Sequence, residues 1–248
     1  MWLTVRMMAQ MESLQISSRK LDQVIDLSER IATHCAPDSI REMVFEDIVD
    51  LFDVDFAASY VWDAKTKTSR DGRIYEIPGR MIETYELHLQ PYDPITARMR
   101  GFRRAVLADE VMPYTDLHET VFHHEFLGPV GMSSGMNMFL FDGDQDVGDF
   151  RIWRSSDRAP FTESDRILLQ SLKAPLERAA MRQRAAFRGL TPREAEIAQL
   201  VAKGCRDQDI SRVLGISIST VRTHLNSAME KRGCANRAEL AFSITASC

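Results

Sequence analysis

The side chains best suited to chemistry lie in one short stretch near the carboxy-terminal end. Ser219, Thr220, Arg222, Thr223, Asn226, Ser227 and Lys231 supply hydroxyl, guanidinium, amide and ammonium donors. Val221, Leu225 and Met229 recur between them every four residues, so a helix buries those three and turns the polar set outward. That outward set is the donor-rich surface a major-groove reader needs. Thr220, Lys231 and Ser219 sit nearer the helix ends, where phosphate contacts are made. A bundle built for protein contacts accounts for the apolar face equally well. It gives no reason for Arg222, Thr223 and Asn226 to share an exposed face.

That helix needs a frame, and the flanking sequence supplies one. Thr191, Pro192 and Glu194 form a complete capping box for a helix in which Ile197, Leu200 and Val201 face inward and which Gly204 ends. Asp207 to Leu214 is a second short helix, with Ile210, Val213 and Leu214 expected inside and Gly215 as its left-handed stop. Ser217 caps the donor-rich helix, Ile218 to about Arg232, and Gly233 terminates it.

Three spaced blocks make this pattern specific. Leu-Thr-Pro-Arg-Glu from Leu190, Gly-Ile-Ser-x-Ser-Thr-Val-Arg-Thr-His-Leu from Gly215 and Lys-Arg-Gly-x-x-Asn-Arg-Ala-Glu-Leu from Lys231 resemble the DNA-binding domain of LuxR-type regulators. The resemblance implies a four-helix helix-turn-helix domain. In it Arg222, Thr223 and Asn226 approach base edges, and Ser219, Thr220 and Lys231 serve the phosphates. His224 matches the family pattern, either packed or touching DNA. Arg206 departs from that pattern where a small capping residue is usual, as does apolar Ile218 where a charge is common.

A second set of side chains suits a small-molecule pocket. Tyr60, Trp62, Tyr75, Tyr85, Tyr92, Phe139 and Trp153 offer ring surfaces, and Asp93 or Asn137 could orient a ligand among them. Ordinary core packing is the competing reading for each ring. The elements that carry them are two amino-terminal helices, a hairpin from Phe56 to Ile77, short helices, a short strand at Arg104 to Leu107 and a helix at Asp116 to Phe126. A second hairpin from Met132 to Arg154 and a long helix from Glu163 to about Phe187 follow. This order predicts an α+β protein: an α/β/α sandwich sensor domain with about five mostly antiparallel strands, then the helical module. The expected bounds are 12–183 for the sensor, 184–189 for a linker and 190–248 for the DNA-binding domain.

Tyr85, Asp93-Pro94 and Gly131-Met132-Ser133-Ser134-Gly135 resemble the acyl-homoserine-lactone-binding domains of the same family. The resemblance implies that Asp93 accepts a hydrogen bond from the ligand amide and that Tyr85 is a pocket aromatic. Met81 falls where those receptors carry a Trp donor to the lactone carbonyl. A lactone would leave that buried carbonyl unpaired at a cost of about 1–3 kcal/mol, so the expected effector is a different small molecule.

Composition bounds the remaining possibilities. The chain has 248 residues, 44% hydrophobic and 27% charged, with a net charge of −5. From Leu190 onward eight basic residues face six acidic ones, so the positive surplus lies in the carboxy-terminal module alone. Few phosphate contacts are available to so small a surplus, which predicts a homodimer on a two-fold DNA operator, with the long helix from Thr162 to Phe187 as one possible subunit contact. No apolar run has the length of a membrane span and no secretory signal is visible. Cys35, Cys205, Cys234 and Cys248 are scattered, which suits reduced thiols in a cytoplasm. His118, His123 and His124 lack the spacing of a metal motif, and no catalytic or cofactor motif appears, so neither metal, cofactor nor enzymatic activity is expected. Three alternatives stay open: an effector-independent protein that heterodimerises with another regulator, a true lactone receptor, and a sensor that turns over its ligand.

Overall fold

In the computed structural model the described residues are 16–34 and 39–246. Cys35 and Cys248, two of the scattered cysteines, lie outside them. The chain divides into two compact units, Met1–Arg30 with Val44–Glu177, and Ile31–Met43 with Arg178–Cys248.

Helices α1 (Ser18–Thr33) and α2 (Ile40–Phe52) precede a five-stranded antiparallel sheet. Its strands are β1 (Phe56–Asp63), β2 (Thr68–Tyr75), β3 (Val106–Leu107), β4 (Met132–Asp142) and β5 (Gln145–Ser155), in the order β2-β1-β5-β4-β3. Strand β4, beside the central β5, is buried from Ser134 to Phe141 on both faces. Such a strand reads as a continuous apolar run instead of an alternating one. Successive side chains point to opposite sides, so Asn137, Phe139 and Phe141 share one face while Met136, Met138 and Leu140 share the other.

Between β2 and β4 the chain forms short helices: α3 (Gly79–Thr84), α4 (Thr96–Gly101), α5 (Ala108–Val111), α6 (Tyr114–His118) and α7 (Gly128–Val130). Two segments, Tyr85–Leu89 and His123–Leu127, are wound as π-helix. The single helix expected over Asp116 to Phe126 is therefore two pieces, α6 and the second π segment, and the backbone turns at Glu119–Thr120. These pieces share one apolar cluster with the sheet, including Tyr60, Tyr85, Phe122, Phe126, Phe139 and Trp153.

Helix α8 (Glu163–Ala186) has the Thr162 capping residue expected of it: the backbone N–H of Asp165 donates to Thr162 Oγ1, and Asp165 Oδ2 accepts from the Thr162 N–H. Pro175 lies inside the helix without ending it. Residues 184–186, expected in a linker, are helical, and 187–189 form the turn that follows. The carboxy-terminal module consists of α9 (Pro192–Ala202), α10 (Asp207–Leu214), α11 (Ile218–Arg232) and α12 (Arg237–Thr245) around a core of Ile197, Val201, Ile210, Val221, Leu225 and Leu240. Val213, expected in that core, is 66% exposed, because an eight-residue helix has only a narrow buried stripe. Among the described residues no helix is long and apolar enough to cross a membrane.

Candidate functional sites of the two units

The frame under α11 is held by a buried carboxylate. Glu194 completes the capping box of α9, its Oε2 accepting from the Thr191 N–H at 2.8 Å while Thr191 Oγ1 accepts from the Glu194 N–H. The same carboxylate accepts from Ser227 Oγ at 2.7 Å and from Lys231 Nζ at 2.8 and 2.7 Å. Lys231, then Ser227 and the Thr191 backbone, hold Glu194 far below the usual carboxylate range, at about 2. Lys231 thus braces α9 and α11, although the sequence suggested a phosphate contact for it.

A second brace supports the exposed face of α11. Asp207 accepts from Arg237 Nη1 at 2.6 Å and from Arg222 Nε at 3.1 Å, which lowers the Asp207 pKa. Arg222 nevertheless leaves most of its side chain in solvent. Ser219, Thr223 and Asn226 are exposed on the same helix, with Thr223 Oγ1 donating back to the Ser219 carbonyl at 3.0 Å. Thr220 is half-buried, and its hydroxyl lies 2.8 Å from Ser217 Oγ, beside the helix cap. Arg206 occupies the cap position of α10, where a guanidinium has no acceptor to offer. Asp209 supplies half of the box by accepting from the Arg206 N–H at 3.2 Å.

The luxR family of bacterial regulatory proteins matches residues 188–244. The carboxy-terminal module is a LuxR-family regulatory domain. The monoamine regulon transcriptional regulator of Klebsiella aerogenes is 27% identical over 172 residues, 67% of this chain and 74% of that protein. The tetrathionate response regulatory protein TtrR of Salmonella typhimurium is 36% identical over 83 residues, covering 30% of this chain and 40% of that relative. Among solved structures, Escherichia coli SdiA aligns with 92% of this chain and 97% of its own at 18% identity and a TM-score of 0.47. The N-acylhomoserine lactone dependent LuxR family factor CepR2 from Burkholderia cenocepacia aligns with 66% of this chain and 94% of its own, at 18% identity and a TM-score of 0.47.

Outside the LuxR-family domain, the amino-terminal unit holds a cavity of about 30 Å³ against the sheet. Of the residues expected around a ligand, the structure brings Tyr60, Tyr85, Asp93, Asn137 and Trp153 to its lining, together with Phe122, Phe126 and Arg151. The others lie elsewhere. Trp62 lines an outer cleft of about 410 Å³, its ring 3.8 Å from the Arg100 guanidinium. Tyr75 borders a separate depression beside Asp53, Asp55 and Arg158. Tyr92 is exposed, Phe139 is fully buried in the core, and Met81 is half-buried against that core. Gly135 lets the Trp153 indole lie across β4, since a Cβ there would stand 2.6 Å from the ring.

Polar order in the cavity centres on Arg151, which is buried. Its Nε and Nη2 donate to Asp149 Oδ2 at 2.9 and 2.6 Å, Nη2 also to Ser69 Oγ at 2.7 Å, and Nη1 to Tyr85 Oη at 2.7 Å. Burial works to lower the Arg151 pKa, but Asp149, Tyr85 and Asp93 outweigh it and the net direction is upward. Tyr85 passes its own hydrogen to Asp93 Oδ2 at 3.1 Å. Asp93 further accepts from the backbone N–H groups of Ile95 and Thr96 and from Thr96 Oγ1, which makes it the N-terminal anchor of α4. Burial pushes the Tyr85 hydroxyl pKa well up, so it remains protonated as a donor.

Arg151 and Asp149 are absent from the sequence expectation because an Arg in a strand ordinarily reads as solvent-facing. The period-two rule contained the signal: if Trp153 faces the cavity, so do Arg151 and Asp149. No group of His, Cys, Asp and Glu suited to a metal occurs among the described residues.

Proposed function

We propose that this protein is a transcription regulator in which a small molecule bound in the amino-terminal cavity controls how a homodimer of LuxR-family domains engages a two-fold operator. The observation that carries the DNA reading is the exposed row of Ser219, Arg222, Thr223 and Asn226 on a helix whose far end is braced to α9 through Lys231 and Glu194. Phosphate contacts would come from Thr220 and Ser219 at the start of that helix and from basic residues around it. The effector reading is supported by a cavity with aromatic walls and few polar groups. Its small volume favours a compact effector over a long acyl chain.

The test uses duplexes selected from a random pool by the full-length protein. Arg222→Ala is expected to lose sequence-specific binding by about 1–3 kcal/mol per bidentate contact and to retain the melting temperature. Unaltered affinity for the selected duplex would refute the DNA reading. Sedimentation of the complex, with one half-site and with two, tests the dimer.

A further inference from the structure

Tyr85 and Asp93, the two positions that a lactone receptor would use, have no capacity left for a ligand. The single Tyr85 hydrogen goes to Asp93, and its oxygen accepts from Arg151. Each oxygen of Asp93 already accepts two hydrogen bonds from within the chain. Two lining side chains carry a buried polar atom with unmet demand, Tyr60 through Oη and Asn137 through Oδ1. Asn137 is 1% exposed, lines the cavity, and its Oδ1 has no hydrogen-bond partner. A buried acceptor left in that state is destabilising until something donates to it.

Asn137 and Arg151 are direct cross-strand partners in the β4–β5 ladder, so their side chains stand side by side on the cavity face. A guanidinium has five N–H bonds. In Arg151, Nε–H and both Nη2 hydrogens go to Asp149 and Ser69, and one Nη1 hydrogen goes to Tyr85. The last Nη1 hydrogen has no partner among the described residues. The strand pair therefore offers one donor and one acceptor next to each other.

We propose that Asn137 and Arg151, and not Tyr85 and Asp93, hold the effector's polar group, and that this group is an uncharged carboxamide on a compact apolar or aromatic body. This rests on the reading of the cavity as the effector site. The amide carbonyl accepts from Arg151 Nη1, and its N–H donates to Asn137 Oδ1. Charge and donor–acceptor matching exclude the neighbouring classes. Asp149 and Asp93 already outnumber Arg151, so a carboxylate adds a further negative charge to a buried cluster and faces the Asn137 oxygen. An ammonium group has only donors and leaves the last Arg151 hydrogen without an acceptor. The body takes its place among Phe122, Phe126 and Trp153 by rotation of those walls, since the cavity as it stands admits only groups of about the size of water.

Isothermal titration of the full-length chain with benzamide, benzoate and benzylamine tests this. Benzamide should bind at least about tenfold more tightly than either ion. Asn137→Leu should remove that advantage, whereas Tyr85→Phe should keep it, with circular dichroism checking both folds. Benzoate or benzylamine as the tightest probe, a folded Asn137→Leu chain with unchanged benzamide affinity, or no binding of any probe would overturn the proposal. If Asn137→Leu does not fold, the ranking on the unaltered chain decides alone. A chain that reads its selected DNA but binds no probe refutes this inference only; a chain that binds benzamide but no DNA refutes the function proposed above.

Discussion

Lys231 Nζ lies 2.7 Å from Glu194 Oε2, which ties the last turn of α11 to the first turn of α9. The folded carboxyl titrates at about 2 and an unfolded glutamate near ~4.3. Its contribution to stability is complete above the unfolded value and is lost as pH falls through the folded one. Thermal unfolding from pH 7 to pH 2 should show the carboxy-terminal module losing stability below about pH 4. In Glu194→Gln that acid-dependent loss should be smaller and the melting temperature at pH 7 lower. An unchanged acid slope would show that other carboxylates govern it.

Asp146 has the opposite sign. Burial, then repulsion from Asp149, lifts its pKa to about 6, and its pair with Arg100 at 3.4 Å does not restore it. Between about 4 and 6 the folded chain binds more protons than the unfolded one, so stability falls as pH rises through that window. Asp146→Asn should flatten this part of the profile while keeping the acceptor for the Gly148 N–H. Urea midpoints at pH 5 and pH 7 give the comparison.

Breaking the Arg151–Asp149 pair should be costly because both groups are buried. Asp149→Asn leaves the guanidinium without its counter-charge and is expected to destabilise the amino-terminal unit by about 3–5 kcal/mol. Equilibrium unfolding in urea measures it, and a loss below ~1 kcal/mol would mean that Asp93 takes over the charge.

Gly135→Ala should destabilise by about 1–3 kcal/mol, since its methyl group would overlap the Trp153 ring. Changed Trp fluorescence of the folded variant would report the displaced indole. Pairing it with Trp153→Leu should relieve the overlap, so the double variant should be more stable than the two separate losses add up to.

The helices of the LuxR-family domain were legible in sequence because they begin and end at local signals: Thr191 with Glu194, Ser217, and the glycines Gly215 and Gly233, both left-handed. The hairpins were equally plain. Distances across the fold were not. Nothing local says that Lys231 meets Glu194, or that Trp62 and Tyr60, two residues apart, open onto different cavities. Arg151 was hidden for the same reason: its three acceptors, Asp149, Ser69 and Tyr85, come from three different elements.

Both π segments carry cavity walls, Tyr85 in one and Phe126 with Leu127 in the other. A π turn holds one residue more than the helix around it needs. Losing that residue restores ordinary pitch and changes which side chains of that turn face the sheet, while the elements beyond it keep their place. The lining of this cavity can thus be re-aimed by a one-codon deletion as readily as by substitution, which gives descendants of such a chain an abrupt route to a differently shaped cavity.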